Sequence, residues 1–332
     1  MELIHNFEIT ILLSIQNFGT GWITPMKWIT ELGSEQFFIL LMPIFLWCVD
    51  YYLGVRVGIM LLLSAQINSF FKLIFHSPRP FWVTDQIKAH TIETSFGVPS
   101  GHAMNTLSVF GMIAKGLRDR WITILCAVLI LLVGVSRLFL GMHFISDVII
   151  GWVIAGGLLI LISQVEKPLW NWFKKFSTIH QVIMILISSL LWVAIALVLS
   201  EVMKDDPFPI LWVQNSMKAI GVPPDPLNME GAITNAGIWA GLGLGVLWMI
   251  KSHGYQTKGT WIQYISRIVI GISGTLLLWR GLGMIFPDGT DLIAFGLRWF
   301  RYTLVGLWVS TVAPWIFIKA GLAKPRNNGD LS

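Results

Sequence analysis

The chain has 332 residues, 55% of them hydrophobic and only 12% charged, with a formal net charge of +5. Soluble domains carry about 25% charged residues, so this composition excludes an ordinary soluble enzyme and points to an integral membrane protein. The basic residues sit mostly in short loops between apolar runs, which reads as membrane topology, with no nucleic acid as partner.

The first residues, Met1–Glu2–Leu3, lack the basic stretch and cleavage site of a secretory signal peptide, so targeting is expected from the first spanning helix. Over residues 4–18, Ile4, Phe7, Ile11, Ile15 and Phe18 recur at helical spacing. That pattern fits an amphipathic helix on the membrane surface or, equally, an ordinary packed helix. Spanning helices need about 20 apolar residues. Runs of that kind are read at 35–49, 52–75, 100–117, 121–141, 144–165, 179–200, 232–250, 265–286 and 291–318. The expected fold is therefore all-α, a polytopic transmembrane helical bundle of about nine spans. Cys48 and Cys126 fall inside apolar segments and read as buried thiols, neither disulfide nor metal ligands.

Lys115, Arg118 and Arg120, then Lys167, Lys174 and Lys175, then Lys251, Lys258 and Arg267, and finally Lys319, Lys324 and Arg326 fall on one side if there are nine spans. The positive-inside rule makes that side cytoplasmic. The other side receives the loop 76–99 and the segment 201–231, where Glu201, Asp205, Asp206, Asp225 and Glu230 outnumber Lys204 and Lys218.

Three polar clusters interrupt the apolar background, all on that outer side. Lys72 and Arg79–Pro80 close the second run. Pro99–Ser100–Gly101–His102 opens the third. Ser136–Arg137, His143 and Asp147 cross the turn between the fourth and fifth. Charges in a bilayer need a partner or a wet cavity. Three cations gathered in one place repel unless an anion lies between them, and a phosphate fits, since arginine matches its oxygens in a fork. Ser100 is a good N-cap for a helix whose free N–H groups favour an anion, and Gly101 allows close approach. His143 and Asp147, four residues apart, share a helix face. Asp147 would hold one ring nitrogen of His143 and leave the other free to attack phosphorus, with His102 as general acid. Each cluster alone has a plain alternative: snorkelling anchors, a turn and cap, a structural pair.

Taken together the clusters resemble the signature of the type 2 phosphatidic acid phosphatase superfamily: Lys-x6-Arg-Pro, Pro-Ser-Gly-His and Ser-Arg-x5-His-x3-Asp. The match runs through Lys72, Arg79, Pro80, Pro99, Ser100, Gly101, His102, Ser136, Arg137, His143 and Asp147. The resemblance implies a helical bundle with its site at the outer, non-cytoplasmic face. It implies a phosphohistidine on His143 supported by Asp147. His102 would protonate the leaving group and then activate water, while Lys72, Arg79, Ser100, Gly101 and Arg137 hold the phosphoryl oxygens. No metal and no cofactor is expected. The substrate would be a lipid phosphate: an isoprenyl diphosphate, a sphingoid phosphate, phosphatidic acid or phosphatidylglycerophosphate. Vanadate haloperoxidases share such a pocket, but they are soluble. The competing class is a lipid transporter or a catalytically inactive lipid-phosphate-binding membrane protein, against which the intact His102, His143 and Asp147 argue.

The expected organisation is an N-terminal amphipathic or interfacial segment over 1–34, a catalytic core over 35–165, a basic cytoplasmic linker over 166–178 and a C-terminal transmembrane extension over 179–332. In the extension, Gly237, Gly241 and Gly245 form a small-residue face. Packing within one chain is favoured there, with a homodimer as the alternative. Arg280, Arg298 and Arg301 lie near apolar runs, and Asp288 or Asp291 is a candidate partner for Arg280.

Overall fold

The computed structural model describes residues 2–204, 209–252, 254–287 and 289–325, the first five of them by backbone only. Asp205, Asp206, Asp288 and Arg326, and the side chain of Ile4, lie outside the described residues. Among the described residues the fold is all-α. In chain order the helices are α1 (Glu2–Gln16), α2 (Ile23–Glu31), α3 (Glu35–Ile44), α4 (Tyr51–Phe75), α5 (Pro80–Val83), α6 (Gly101–Leu117), α7 (Arg120–Phe139) and α8 (Ile145–Phe173), followed by α9 (Thr178–Met203), α10 (Ile210–Ile220), α11 (Glu230–Ser252), α12 (Trp261–Leu276), α13 (Leu282–Ile285), α14 (Leu292–Leu307) and α15 (Ala313–Lys319).

Among the described residues, seven helical stretches are long and apolar enough to cross a membrane, and an eighth arises if the pair Thr20–Glu31 and Glu35–Val49, bent by 47°, counts as one. The expectation of nine is thus approximate. The remaining candidate, α6, has 17 residues. At about 1.5 Å per residue it falls short of a hydrocarbon core of about 30 Å. Its interior also carries Asn105, Thr106 and Ser108, all buried.

The chain divides into two compact units. The first comprises Met1–Phe38, Leu63–Ser163 and Ala196–Asn228. Its core gathers Leu73, Phe81, Trp82, Phe96, Phe139, Leu140 and Met142, with Ile15, Met26 and Trp212 against them. Helix α1 packs by one face. Leu12 is fully buried with Ile87 and Phe144, while Phe7 and Phe18 of the expected stripe remain exposed. The buried face also carries Glu8, which accepts from the Ser146 N–H at 2.7 Å. Helix α10 covers α5: Trp212 lies 6.0 Å from Trp82, centroid to centroid, and Asn215 donates to the Trp82 carbonyl at 2.9 Å.

The second unit comprises Ile39–Leu62, Gln164–Ile195 and Met229–Ser332. Its centre is the α11–α14 pair. A Cβ added at Gly237 would lie 2.5 Å from the Trp299 carbonyl, and at Gly241 it would collide with that of Thr303. The small-residue face therefore serves close packing within the chain. Trp299 Nε1 donates to Ser189 Oγ at 2.9 Å, which in turn donates to the Ala236 carbonyl at 2.7 Å. Asp291 does not pair with Arg280. It caps α14 through the Ala294 N–H at 2.8 Å, and Arg280 lies over Trp279. Arg298 pairs with Glu230 at 2.8 Å.

Candidate active site

The first unit brings the three clusters together. Arg79 follows Pro78 and precedes Pro80, the first residue of α5, which fixes the backbone that aims its side chain. The guanidinium is fully buried. Its Nε donates to the Ser95 carbonyl at 2.6 Å and its Nη1 to the Met142 carbonyl at 3.0 Å. That second bond sets Nη1 3.3 Å from His143 Nε2.

His143 lies in the turn before α8, not on a helix face as the spacing suggested. The contact with Asp147 nevertheless forms, because Asp147 sits in the first turn of α8 and folds back over the turn. One oxygen, Oδ2, accepts from the Phe144 N–H at 2.9 Å and faces His143 Nδ1 at 3.1 Å. A carboxylate can only accept, so Nδ1 carries the proton and Nε2 presents its lone pair toward Arg79. Burial first, and then the charges of Arg79, Arg137 and Lys72, push the His143 imidazole well below its ordinary pKa. The ring is thereby held neutral at physiological pH, the form in which an imidazole has a free lone pair.

The Asp147 main chain ties the second cluster in: its carbonyl accepts from the Ser100 N–H at 3.0 Å. Ser100 occupies the N-cap position of α6, but its hydroxyl makes no capping bond. Instead Ser100 Oγ is buried without any partner. Gly101 is needed for a neighbour: a Cβ there would stand 3.1 Å from Asn68 Oδ1. Asn68 Nδ2 in turn donates to the Pro99 carbonyl at 3.0 Å. The first N–H groups of α6 have no intrahelical acceptor and remain available to an anion. His102, one residue into α6, lies within electrostatic reach of Glu93 and His143.

Arg137, near the end of α7, is 1% exposed. Its Nη1 donates to Thr30 Oγ1 at 2.9 Å, its Nη2 meets Glu93 Oε1 at 2.9 Å, and its Nε has no partner. Lys72, in the last turn of α4, donates to Ser95 Oγ at 2.7 Å.

Three of these partners were not singled out in the sequence. Glu93 bridges Arg137 and Arg79, the latter at 3.4 Å. Burial alone would raise its carboxyl pKa. Arg79 and then Arg137 offset this and hold it well below the usual carboxylate range. Ser95 joins Lys72 and Arg79, accepting from Arg79 Nη2 at 3.1 Å. Thr30 comes from the N-terminal segment, 107 residues away from Arg137. The sequence holds one usable signal for Glu93: three converging cations need a counter-anion when no ligand is bound. Only Asp85 and Glu93 supply a carboxylate between Arg79 and Pro99, and Asp85 is taken by Lys218 at 2.7 Å.

Two family models match the chain in succession. The PAP2 superfamily model covers residues 53–171, and that of the PAP2 superfamily phosphatase transmembrane extension covers 233–325. The chain belongs to the PAP2 superfamily. The first match contains all three clusters of the PAP2 signature. The second gives the C-terminal helices a family relationship of their own. Among curated relatives, sphingosine-1-phosphate phosphatase 1 of Mus musculus is 33% identical over 46% of this chain and 36% of its own length. The chain thus spans about a third of that relative. Glucose-6-phosphatase 3 of Mus musculus is 24% identical but aligns over 95% of this chain and 96% of its own length. Among solved structures, the first transmembrane PAP2 type phosphatidylglycerolphosphate phosphatase from Bacillus subtilis is 22% identical, covers 51% of this chain and 88% of that one, and has a TM-score of 0.44.

Proposed function

We propose that this PAP2 protein is an integral membrane lipid phosphatase that hydrolyses a phosphate monoester or diphosphate through a phosphohistidine on His143, without a metal. One observation carries the reading. His143 is held at both nitrogens, by Asp147 and Arg79, and these two partners are in turn linked to residues with buried, unpartnered polar atoms: Asp147 to Ser100 through the Ser100 N–H, and Arg79 to Arg137 through Glu93. A phosphoryl group supplies what those atoms lack, and its charge is met by Arg79, Arg137 and Lys72.

In the first step Nε2 of His143 bonds to phosphorus and the bond to the lipid oxygen breaks. His102 gives its proton to the leaving alkoxide. Asp147 stabilises the positive charge that develops on the His143 ring. In the second step water attacks phosphorus, His102 takes its proton, and the Nε2–phosphorus bond breaks to release phosphate. The phosphoryl oxygens rest on the arginines, the Ser100 hydroxyl and the N–H groups at Gly101. The cationic lining favours an anion directly and disfavours a divalent cation. The excess of Lys and Arg in the opposite loops supports a non-cytoplasmic site provided that α6, short as it is, crosses as the ninth span.

A second reading has its own support: the near full-length likeness to glucose-6-phosphatase 3 favours a soluble sugar phosphate as substrate. One experiment separates the readings. Purified protein is given phosphatidic acid, phosphatidylglycerophosphate, a sphingoid phosphate, an isoprenyl diphosphate and glucose 6-phosphate, with and without chelator. Phosphate released from a lipid in the presence of chelator is the expected result, and His143→Ala should lower it at least about 10⁴-fold while the protein stays folded. Turnover confined to glucose 6-phosphate selects the second reading. Tight lipid binding with no phosphate release selects a transporter or an inactive binding protein.

A further inference from the structure

The carboxylate of Glu93 lies where an incoming anion must go. Oε1 is 2.9 Å from Arg137 Nη2 and Oε2 is 3.4 Å from Arg79 Nη2, so a single carboxylate joins the two guanidinium groups. Both arginines are at most 1% exposed, whereas the Glu93 side chain is 25% exposed. Glu93 therefore has a route to water that the arginines lack. It lies between α5 and α6, in a stretch without helix. That stretch is anchored just after Glu93, where the Thr94 carbonyl accepts from the Asp225 N–H at 2.9 Å and Ser95 holds Lys72 and Arg79. The backbone is thus fixed while the carboxylate can leave.

Resting on the phosphatase reading above, we infer that Glu93 is a specificity-determining residue: a resident carboxylate that a dianionic phosphoryl group displaces and a monoanionic phosphodiester does not. The reason is charge. Exchanging a carboxylate for a phosphodiester replaces one negative charge by one negative charge and gains little Coulomb energy among Lys72, Arg79 and Arg137. A phosphate monoester or terminal diphosphate brings nearly two charges, and in a water-poor site the second is strongly stabilised. This selection suits an enzyme embedded in a bilayer. The surrounding phospholipids are mostly phosphodiesters at overwhelming concentration. Without an internal competitor the arginine pair would bind them unproductively.

The test measures direct binding by titration calorimetry on the full chain in neutral detergent at pH 8. The probes are inorganic phosphate, mostly dianionic at that pH, and dimethyl phosphate, a monoanionic diester. Wild-type protein should bind phosphate at least about ten-fold more tightly than the diester. Glu93→Gln, with the same shape and no charge, removes the competitor and should tighten both probes about ten-fold, so that the diester reaches the affinity that phosphate has for wild-type protein. Glu93→Ser, which leaves the space between the guanidinium groups open, is the second variant and should tighten both probes in the same way. If both probes bind all three proteins with the wild-type affinities, or if both substitutions weaken both probes, the role of Glu93 is overturned and the phosphatase reading stands. If neither probe binds to any of the three, the phosphate site itself is overturned, and this inference falls with it.

Discussion

Arg137 and Arg267 are both buried arginines on apolar helices, one in each unit, and their surroundings treat them in opposite ways. Arg267 is fully buried. Its Nε donates to the Leu322 carbonyl at 2.9 Å, its Nη1 to the carbonyls of Trp47 and Thr257, and its Nη2 to those of Lys258 and Leu322. The guanidinium also lies over the rings of Tyr255 and Tyr264. Its hydrogen-bonding capacity is used up on backbone, so it joins separate stretches of its own unit and has nothing left for a ligand. Arg137 meets Thr30 and Glu93 with two nitrogens and leaves Nε bare. A buried donor without a partner costs about 1–3 kcal/mol, more when charged. Natural proteins keep such a group where a ligand completes it. A buried charge in an apolar helix is therefore no marker of a site by itself, and neither is a lone unmet donor, since Arg301 Nε of the second unit is also without a partner; at Arg137 the bare Nε coincides with the ion pair to Glu93 that also joins Arg79.

Substituting each arginine sharpens that contrast. In the proposed mechanism Arg137→Ala removes charge-assisted hydrogen bonds to the phosphoryl group worth roughly 1.5–3 kcal/mol each, so kcat/KM should fall about 10²–10⁴-fold. The melting temperature should change far less than for Arg267→Ala. Removing Arg267 leaves several carbonyls of its unit without donors and should cost about 3–5 kcal/mol of stability, read by denaturation in detergent. Activity per folded molecule should survive. If Arg267→Ala abolished turnover in folded protein, or Arg137→Ala unfolded the chain and left no effect on catalysis, the distinction between the two arginines would be lost.

A smaller effect comes from the packing that the second unit relies on. Gly241→Ala places a methyl group against the Thr303 carbonyl and the Leu307 amide, both backbone. Neither can move aside without shifting α14. The expected cost is about 1–3 kcal/mol of stability with the phosphate affinity unchanged. Gly157→Ala is the control, since a Cβ there meets nothing within 4 Å. Equal stability of the two variants would show that the α11–α14 face does not depend on close backbone approach.

Much of this was legible in the sequence, and the rest was hidden for identifiable reasons. The all-α fold followed from composition, and the cluster spacings pointed to a single polar site because charged residues stand out against an apolar background. The His143–Asp147 contact was expected for the wrong local reason: the turn before α8 supplies it, and no helical face is involved. Ser100 was expected to cap α6, yet its hydroxyl bonds to nothing. Glu93, Ser95 and Thr30 lie outside any motif, and their roles depend on which loops the fold brings to Arg79 and Arg137. Arg267 read as one more basic residue marking the cytoplasmic side. Its partners, from Trp47 to Leu322, are far apart in the chain, and only the folded unit brings them together.

The smallest effect concerns His143, the proposed nucleophile, and it links the site to the stability of the folded chain. An unfolded histidine takes up a proton near pH 6.5. In the folded protein His143 resists protonation, because burial and then Arg79, Arg137 and Lys72 disfavour the charged ring. Below about pH 6.5 the unfolded state therefore binds more protons than the folded state at this residue, and stability must fall as pH falls. One such group contributes at most about 1.4 kcal/mol per pH unit. Glu93 works in a lower window, since its carboxyl is held below the usual range. Its contribution is complete above about pH 4.3 and is lost only under stronger acid. Between pH 6.5 and 5.5, then, the change in stability measured by denaturation should differ between wild-type protein and His143→Asn by about 1 kcal/mol, with the greater loss in wild type, and should be the same in wild type and Glu93→Gln. If His143→Asn left the pH dependence of stability at its wild-type value, the imidazole would take up its proton as readily folded as unfolded, and the neutral ring that the proposed attack by Nε2 needs would not be held by the fold.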